Sequence, residues 1–130
     1  MRYIVPAMLF ITGVVHLLPL SGVLGSEQLA SLYGVAAAEP NLAILMRHRA
    51  VLFGLIGSFM LIAVFRPALR TSAIVGGFVS VASFLYFAAA VGNYNAQIGR
   101  VVAVDIVALV CLVAAAIAHV FMLRGTSATR

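Results

Sequence analysis

Residues 41–65, NLAILMRHRAVLFGLIGSFMLIAVF, are long enough and apolar enough to cross a membrane as one helix. A spanning α-helix needs about 20 mostly apolar residues, because each residue advances the helix by only about 1.5 Å. The stretch departs from this pattern at one place, where Arg47, His48 and Arg49 follow one another a few turns from its start. Basic side chains at that position need either the membrane boundary or an acidic partner.

Three further stretches have the same apolar character: YIVPAMLFITGVVHLLPL (3–20), TSAIVGGFVSVASFLYFAAAV (71–91) and GRVVAVDIVALVCLVAAAIAHVFML (99–123). The whole chain of 130 residues is 65% hydrophobic and 8% charged, whereas a soluble domain has roughly a quarter charged residues. So little polar surface cannot cover a water-soluble globule. We therefore predict an all-α fold, a four-helix transmembrane bundle that forms a single integral membrane domain over residues 1–130.

The segment between the first two spans, GSEQLASLYG (25–34), predicts a short helix. Ser26 can cap its start and Gly34 can end it, and Leu29 and Tyr33 fall on one side at helical spacing. An amphipathic helix of this kind lies on the membrane surface, so we expect an interfacial helix between helices 1 and 2. Pro40 then suits the first position of the second span.

The arginines predict the orientation of the chain. With four spans, both termini and the middle loop lie on one side of the membrane, and that side is expected to be cytoplasmic because it has more arginines near the span ends. The chain is then multi-pass, N-in and C-in. The arginines on that side are Arg2, Arg66, Arg70, Arg124 and Arg130. The net charge of +5 comes from singly scattered arginines that form no basic stripe, so we expect no nucleic-acid partner.

Asp105 is the only acidic residue within a span. Helical rise places Arg49 about 25 Å from Arg66 at the inner end of the second span, and Asp105 about 28 Å from Arg124 at the inner end of the fourth. The acid and the basic cluster are therefore expected at one depth, in the outer half of the membrane.

Helical spacing also predicts which arginine faces the acid. Arg47 shares a face with the small residue Gly54, so we expect Arg47 to face the bundle and to pair with Asp105. Arg49 points nearly the opposite way and is expected to extend toward the outer headgroups. Arg49 and His48 are second choices as partners of the acid.

Small residues four apart predict where helices pack closely. Gly54 and Ser58 have this spacing on the second span, and Gly76 and Ser80 repeat it on the third. Such pairs let two helices approach each other in lipid.

Polar side chains at this depth predict a small outer-facing cavity for a lipid-like or quinone-like molecule. The alternative is an interhelical ion pair that only fixes the helix register. His16 could equally donate to a carbonyl of a neighbouring helix, Tyr94 could belong to an interfacial aromatic belt, and Asn93 is a good turn residue. The candidate ligand-binding residues are Arg47, His48, Asp105, His16, Arg49, Tyr94 and Asn93.

The sequence offers little for catalysis or metal binding. His16 and His48 are the only histidines in the same half of the bundle, and their depths match loosely for a bis-histidine haem. Cys111 is the only cysteine, and neither a zinc-ligand cluster nor a phosphate-binding loop is present in the sequence. We predict no catalytic residues, no metal site and no resident cofactor, with a quinone or a haem as alternatives.

The chain resembles the DoxX-like group of small four-helix bacterial inner-membrane proteins. The features that carry the resemblance are GVVHLLPLSG (13–22), LASLYG (29–34), RHRAVLFG (47–54) and the acid-bearing fourth helix. The resemblance implies an integral protein of the bacterial inner (plasma) membrane, in a group that is sometimes linked to quinone or thiol redox complexes.

Three functions follow as expectations. The first is a non-enzymatic membrane protein with a polar outer-leaflet pocket, whose partners are membrane lipids. The second is an accessory subunit of a larger membrane complex, with a membrane-protein partner or a homo-oligomer. The third is a redox subunit linked to haem or quinone.

Overall fold

The structure is a computed structural model of the chain, and it describes residues 2–36 and 38–128. Within these ranges the chain forms five α-helices: α1 (Ile4–Leu17), α2 (Ser26–Tyr33), α3 (Pro40–Phe65), α4 (Arg70–Val91) and α5 (Ala96–Ser127). The 3₁₀ segment Leu18–Leu24 follows α1, and a second one, Pro67–Leu69, precedes α4. Arg130, which the sequence places on the arginine-rich side, lies outside the described residues.

Four helical segments are long and apolar enough to cross a membrane: Ile4–Leu24, Pro40–Phe65, Pro67–Val91 and Ala96–Ser127. Large apolar side chains cover their outer surfaces, as Phe10, Phe65 and Val79 illustrate with more than half of each side chain exposed. An exterior of this kind suits lipid and not water. The chain is a small multi-pass membrane protein, and the prediction of an all-α four-helix bundle with a short helix between the first two spans is confirmed.

The ends of α2 partly follow the sequence prediction. Gly34 ends the helix in the left-handed conformation, with φ of 64° and ψ of 28°, as expected. The start is different, because Gly25 occupies the N-cap position and Ser26 is already helical with no side-chain cap. The prediction of Ser26 as the cap was therefore wrong by one residue. Gly25 has a φ of 142°, a backbone conformation that residues with a side chain rarely adopt, which suits glycine to this position.

Small side chains allow the core to pack tightly. The main buried cluster joins Val5 and Leu9 of α1 to Met60 of α3, and alanines from three helices complete it: Ala63, Ala73, Ala115 and Ala118. Without a strong hydrophobic drive between helices in lipid, close van der Waals contact of this kind holds a bundle together.

The backbones of α1 and α3 approach each other closely at two glycines. A Cβ atom at Gly57 would come within 2.8 Å of the backbone carbonyl oxygen of Gly13. The predicted close-packing pairs fit only in part: Gly54 is buried against Leu20, whereas Ser58 is exposed, and Gly76 borders open space. On α4 the buried glycine is instead Gly77.

Glu39 caps α3, a role that the sequence analysis did not assign. Its carboxylate accepts from the backbone N–H groups of Asn41 at 3.0 Å and Leu42 at 2.8 Å, and Pro40 occupies the first helical position as predicted. These two hydrogen bonds favour the ionised carboxylate and hold the pKa of Glu39 below its ordinary value of 4.5.

We expect acid to loosen the first turn of α3. The pKa of Glu39 is lower in the folded chain than in the unfolded chain, so its contribution to stability is fully present above the unfolded value and is lost as pH falls through the folded value. Amide hydrogen exchange at Asn41 and Leu42, corrected for intrinsic rates, should accelerate below pH 4.5. Glu39→Gln should show the faster exchange already at neutral pH, and an unchanged profile in this variant would contradict the cap.

Candidate functional site

Asp105 lies at a cavity between the end of the first span, α2 and the start of α5. The cavity has a volume of about 360 Å³. Its apolar walls come from the first span and α5, while its polar groups come from α2 and α5. The lining residues are Val15, Leu18, Pro19, Ser31, Leu32, Tyr33, Gln97, Arg100, Val101, Val104 and Asp105.

The mouth of this cavity is apolar on one side and polar on the other. Leu18 and Val104 are exposed on the apolar exterior of the bundle. The exposed polar residues of the lining are Ser31 on α2 and Arg100 near the start of α5. Arg100 precedes Asp105 by five residues, or about 7.5 Å along the helix. The cavity is therefore amphipathic, with the carboxylate at its deeper end.

The Asp105 carboxylate has no direct protein partner in the part of the chain that the structure describes. Asp105 is only 8% exposed, and none of the hydrogen bonds or ion pairs among those residues involves its side chain. Arg49 and His48, the second choices as partners, form no hydrogen bond or ion pair with it either. A buried acid with unused acceptors needs a donor from elsewhere.

The structure corrects the prediction that Arg47 pairs with Asp105. Arg47 is exposed, and its Nε atom donates to the backbone oxygen of Val23 at 3.0 Å. Arg47 does share a face with Gly54, but that face packs against Leu20 of the 3₁₀ segment after α1. The basic side chain therefore reaches a carbonyl of the same segment and not the acid on α5.

Arg49 points into the bundle, which is also contrary to the prediction. Its guanidinium carbon lies 4.6 Å from the centroid of Phe53, 5.1 Å from that of Tyr33 and 5.7 Å from that of Phe84. Arg49 and Phe53 are one turn apart on the side of α3 that faces α4. Aromatic faces attract a guanidinium through the ring quadrupole, so these three rings keep Arg49 inside.

His16 joins α1 to α4 and is not part of the lining of the Asp105 cavity. It is buried, with Nδ1 2.9 Å from the backbone oxygen of Thr12 and Nε2 3.1 Å from the Ser80 hydroxyl. A carbonyl only accepts, so Nδ1 carries the hydrogen, and in the neutral ring Nε2 accepts from Ser80. The carbonyl belongs to the same helix as the histidine, one turn earlier, and not to a neighbouring helix.

The other candidates also lie outside this cavity lining. His48, Asn93 and Tyr94 are all exposed. Asn93 has a φ of 52°, which fits the turn role that the sequence left open. The cavity lining also includes Gln97 and Arg100, which were not among the candidate residues. They precede the acid by eight and five residues on the same helix, about two turns and one and a half turns, which placed them within reach of it.

Asn95 holds α2 against α5, a role that the sequence analysis did not assign. Its Oδ1 atom accepts from the backbone N–H of Ile98 at 2.8 Å, which caps α5. Its Nδ2 atom donates to the backbone oxygen of Tyr33 at 2.8 Å and to that of Gly34 at 3.3 Å. Asn95 thereby keeps α2 over the Asp105 cavity.

Substitutions at Asn95 should separate these two roles. Asn95→Asp keeps an acceptor for the cap but replaces the donor with an oxygen facing two carbonyls, so we expect faster hydrogen exchange in α2 and little change at the start of α5. Asn95→Ala loses both roles, and the cap alone is worth about 0.5–2 kcal/mol. Exchange in α2 that matches the wild type in both variants would contradict the clamp.

Comparison with protein-family models, curated proteins and solved structures finds no match to the chain. Within residues 2–36 and 38–128, no three His, Cys, Asp or Glu side chains come together as a metal site would require. The chemistry that the described site offers is hydrogen-bond acceptance by a buried carboxylate in an otherwise mostly apolar cavity.

Proposed function

We propose that this protein binds a lipid-like or quinone-like amphiphile in the Asp105 cavity. The observation that carries the proposal is the Asp105 carboxylate, which lies in the lining of the cavity and has no hydrogen-bond or ion-pair partner among the described residues, although the residue as a whole is only 8% exposed. A carboxylate only accepts hydrogen bonds, so the ligand should bring a hydroxyl or an ammonium donor. A quinol supplies the first and an amine headgroup supplies the second.

The walls of the cavity support an apolar body for this ligand. Val15, Val101 and Leu32 line the same cavity as the carboxylate, and the exposed pair Leu18 and Val104 gives a tail access to the acyl region. Small-molecule sites typically have this composition, with a few polar groups in an apolar lining and a volume of about 300–1,000 Å³. Gln97 and Arg100 can hold a second polar group of the ligand nearer the membrane surface.

The cellular setting is part of the proposal. We infer a bacterial inner membrane from the resemblance to the DoxX-like group, and an N-in, C-in orientation from the arginines. In that orientation the Asp105 cavity opens in the outer leaflet. The proposed function is binding, without catalysis by the protein itself.

Native mass spectrometry of the delipidated protein tests the proposal with two matched probe pairs. The first pair is decylhydroquinone and its dimethyl ether, which has the same tail but no hydroxyl donor. The second pair is phosphatidylethanolamine and phosphatidylcholine, which differ in whether the headgroup nitrogen can donate. We expect retention of the donor-bearing member of one pair at one molecule per chain.

The outcome also assigns the ligand class. Preference for the hydroquinone indicates a quinone-like ligand, and preference for phosphatidylethanolamine indicates a lipid-like ligand. If neither donor is retained better than its matched partner, Asp105 is not a donor-binding site and the proposal is wrong.

A further inference from the structure

A second cavity, whose lining includes Arg49, lies between α3 and α4. It is a furrow of about 360 Å³ with mostly apolar walls. On α4 it runs from Gly76 to Phe87, eleven residues or about 16 Å of helix. On α3 it runs from Arg49 to Ile56, about 10 Å. Because the two helices are antiparallel, Arg49 and Phe87 mark the same end of the furrow.

Small residues form part of this furrow. Gly76, Ser80 and Ser83 line it on α4, and a Cβ atom at Gly76 would meet no other atom within 4 Å. The neighbouring side chains Val79 and Phe87 are largely exposed on the outer surface of the bundle. The furrow is therefore open sideways to the acyl chains of the membrane.

The charged end of the furrow has unused hydrogen-bond donors. Arg49 is half-buried, and its recorded contacts are with the rings of Tyr33, Phe53 and Phe84. Across the described ranges, no hydrogen bond or ion pair uses its guanidinium, although the group carries five N–H donors in a planar fork. That fork matches the oxygens of a phosphate better than any other common membrane group.

We propose that this furrow binds an anionic phospholipid, with its phosphate on Arg49 and one acyl chain along α4 toward Gly76. The cation stands at one end of an apolar channel. Helical rise from Arg66 puts that end about 25 Å from the other membrane boundary, within about 5 Å of the far edge of a hydrocarbon core about 30 Å thick, so the long Arg49 side chain is close enough to the headgroups to bind a phosphate. A lipid of net negative charge complements Arg49 more strongly than a zwitterionic lipid does. The lining of this site shares no residue with the lining of the Asp105 cavity, and its proposed ligand differs from the one proposed there.

Lipid retention in native mass spectrometry tests this site. The protein, in detergent, is offered equal amounts of phosphatidylglycerol and phosphatidylcholine with identical chains. The wild type should retain phosphatidylglycerol in preference, and Arg49→Gln should reduce that preference by about fivefold, since one cation near a membrane surface contributes about 1 kcal/mol.

A second variant leaves Arg49 unchanged and fills the furrow. Gly76→Leu adds a bulky side chain to the furrow lining at a position where the Cβ atom itself meets nothing within 4 Å, so it should reduce retention of phosphatidylglycerol while the protein keeps its helical circular dichroism. The matched control is Gly125→Leu, because a Cβ atom there also meets nothing within 4 Å and the position lies outside the furrow lining. This control should retain the lipid as the wild type does.

The two variants also exclude other occupants. A free phosphate would need Arg49 but not the furrow, so normal retention by Gly76→Leu would overturn the proposal. Equal retention of the two lipids by the wild type would overturn it as well. If Gly76→Leu changes the oligomeric state and not lipid retention, the furrow is a contact between copies of the chain and the lipid assignment is wrong.

Discussion

Replacing Asp105 with leucine is expected to stabilise the ligand-free bundle and to abolish ligand binding. Asp105 is 8% exposed, and its carboxylate has no hydrogen bond or ion pair in the described part of the chain. Removing it relieves the cost of taking a carboxylate partly out of water, which no hydrogen bond or ion pair among the described residues offsets. Apolar replacement of buried charges has stabilised other proteins by about 1–4 kcal/mol, and we expect a gain in this range.

The same substitution should weaken binding of the donor-bearing probe strongly. A hydrogen bond to a charged group contributes about 1.5–3 kcal/mol, which corresponds to a loss of about 10- to 100-fold in affinity. Asp105→Asn is the isosteric control, because its carbonyl oxygen still accepts from a donor although the charge is gone. We expect affinities in the order aspartate, asparagine, leucine.

Two measurements check the prediction together. The free energy of unfolding of the delipidated protein is obtained by titration with a denaturing detergent, and probe retention is measured by native mass spectrometry. If Asp105 only fixed helix register with Arg49, Asp105→Leu would destabilise the bundle by leaving the half-buried guanidinium without its opposite charge. A fall in stability with unchanged probe retention would therefore favour the structural role over the binding role.

Replacing Gly57 with alanine is expected to destabilise the bundle by about 1–3 kcal/mol, the usual range for overpacking. The added Cβ atom would lie 2.8 Å from the Gly13 carbonyl oxygen and 3.0 Å from Leu17 Cγ. A backbone oxygen cannot rotate away as a side chain can, so α1 and α3 must separate. That separation loosens the packing along one of the main helix contacts of the bundle.

The matched control is Gly76→Ala on α4. Its Cβ atom meets nothing within 4 Å, so only the higher helix propensity of alanine acts, and stability should stay unchanged or rise by up to about 1 kcal/mol. Both variants are compared with the wild type by the same detergent titration. Equal effects of the two substitutions would contradict a backbone-limited crossing of α1 and α3.

The four spans and the short helix could be predicted because each depends on local sequence. A membrane interior leaves a backbone no partner but itself, so every long apolar stretch has to be helical. Helix ends could also be predicted from the sequence where a glycine or a proline marks them, as Gly34 does at the end of α2 and Pro40 at the start of α3. The start of α2 was predicted one residue too late. Serine is a residue type that often caps helices, but the backbone conformation of Gly25 set the boundary here.

The composition of the site was only partly readable. Asp105 stood out because it is the single acid in a span, and it does line a cavity. Its neighbours there, Gln97 and Arg100, share its helix, whereas Tyr33 and Ser31 come from α2. Sequence spacing does not predict that α2 and α5 lie side by side. The Asn95 hydrogen bonds that join them connect residues more than sixty positions apart in the chain.

By itself, the sequence determined that the chain crosses the membrane four times and that one buried acid lies near the depth of a basic cluster, because length, apolarity and helical rise fix both. Only the tertiary structure decided which basic residue turns inward. Arg47 and Arg49 differ by about 200° around the helix, so the rotation of α3 selects between them. That rotation is set by the packing of Leu20 on Gly54 and by the rings around Arg49, which are long-range contacts that helical spacing does not encode.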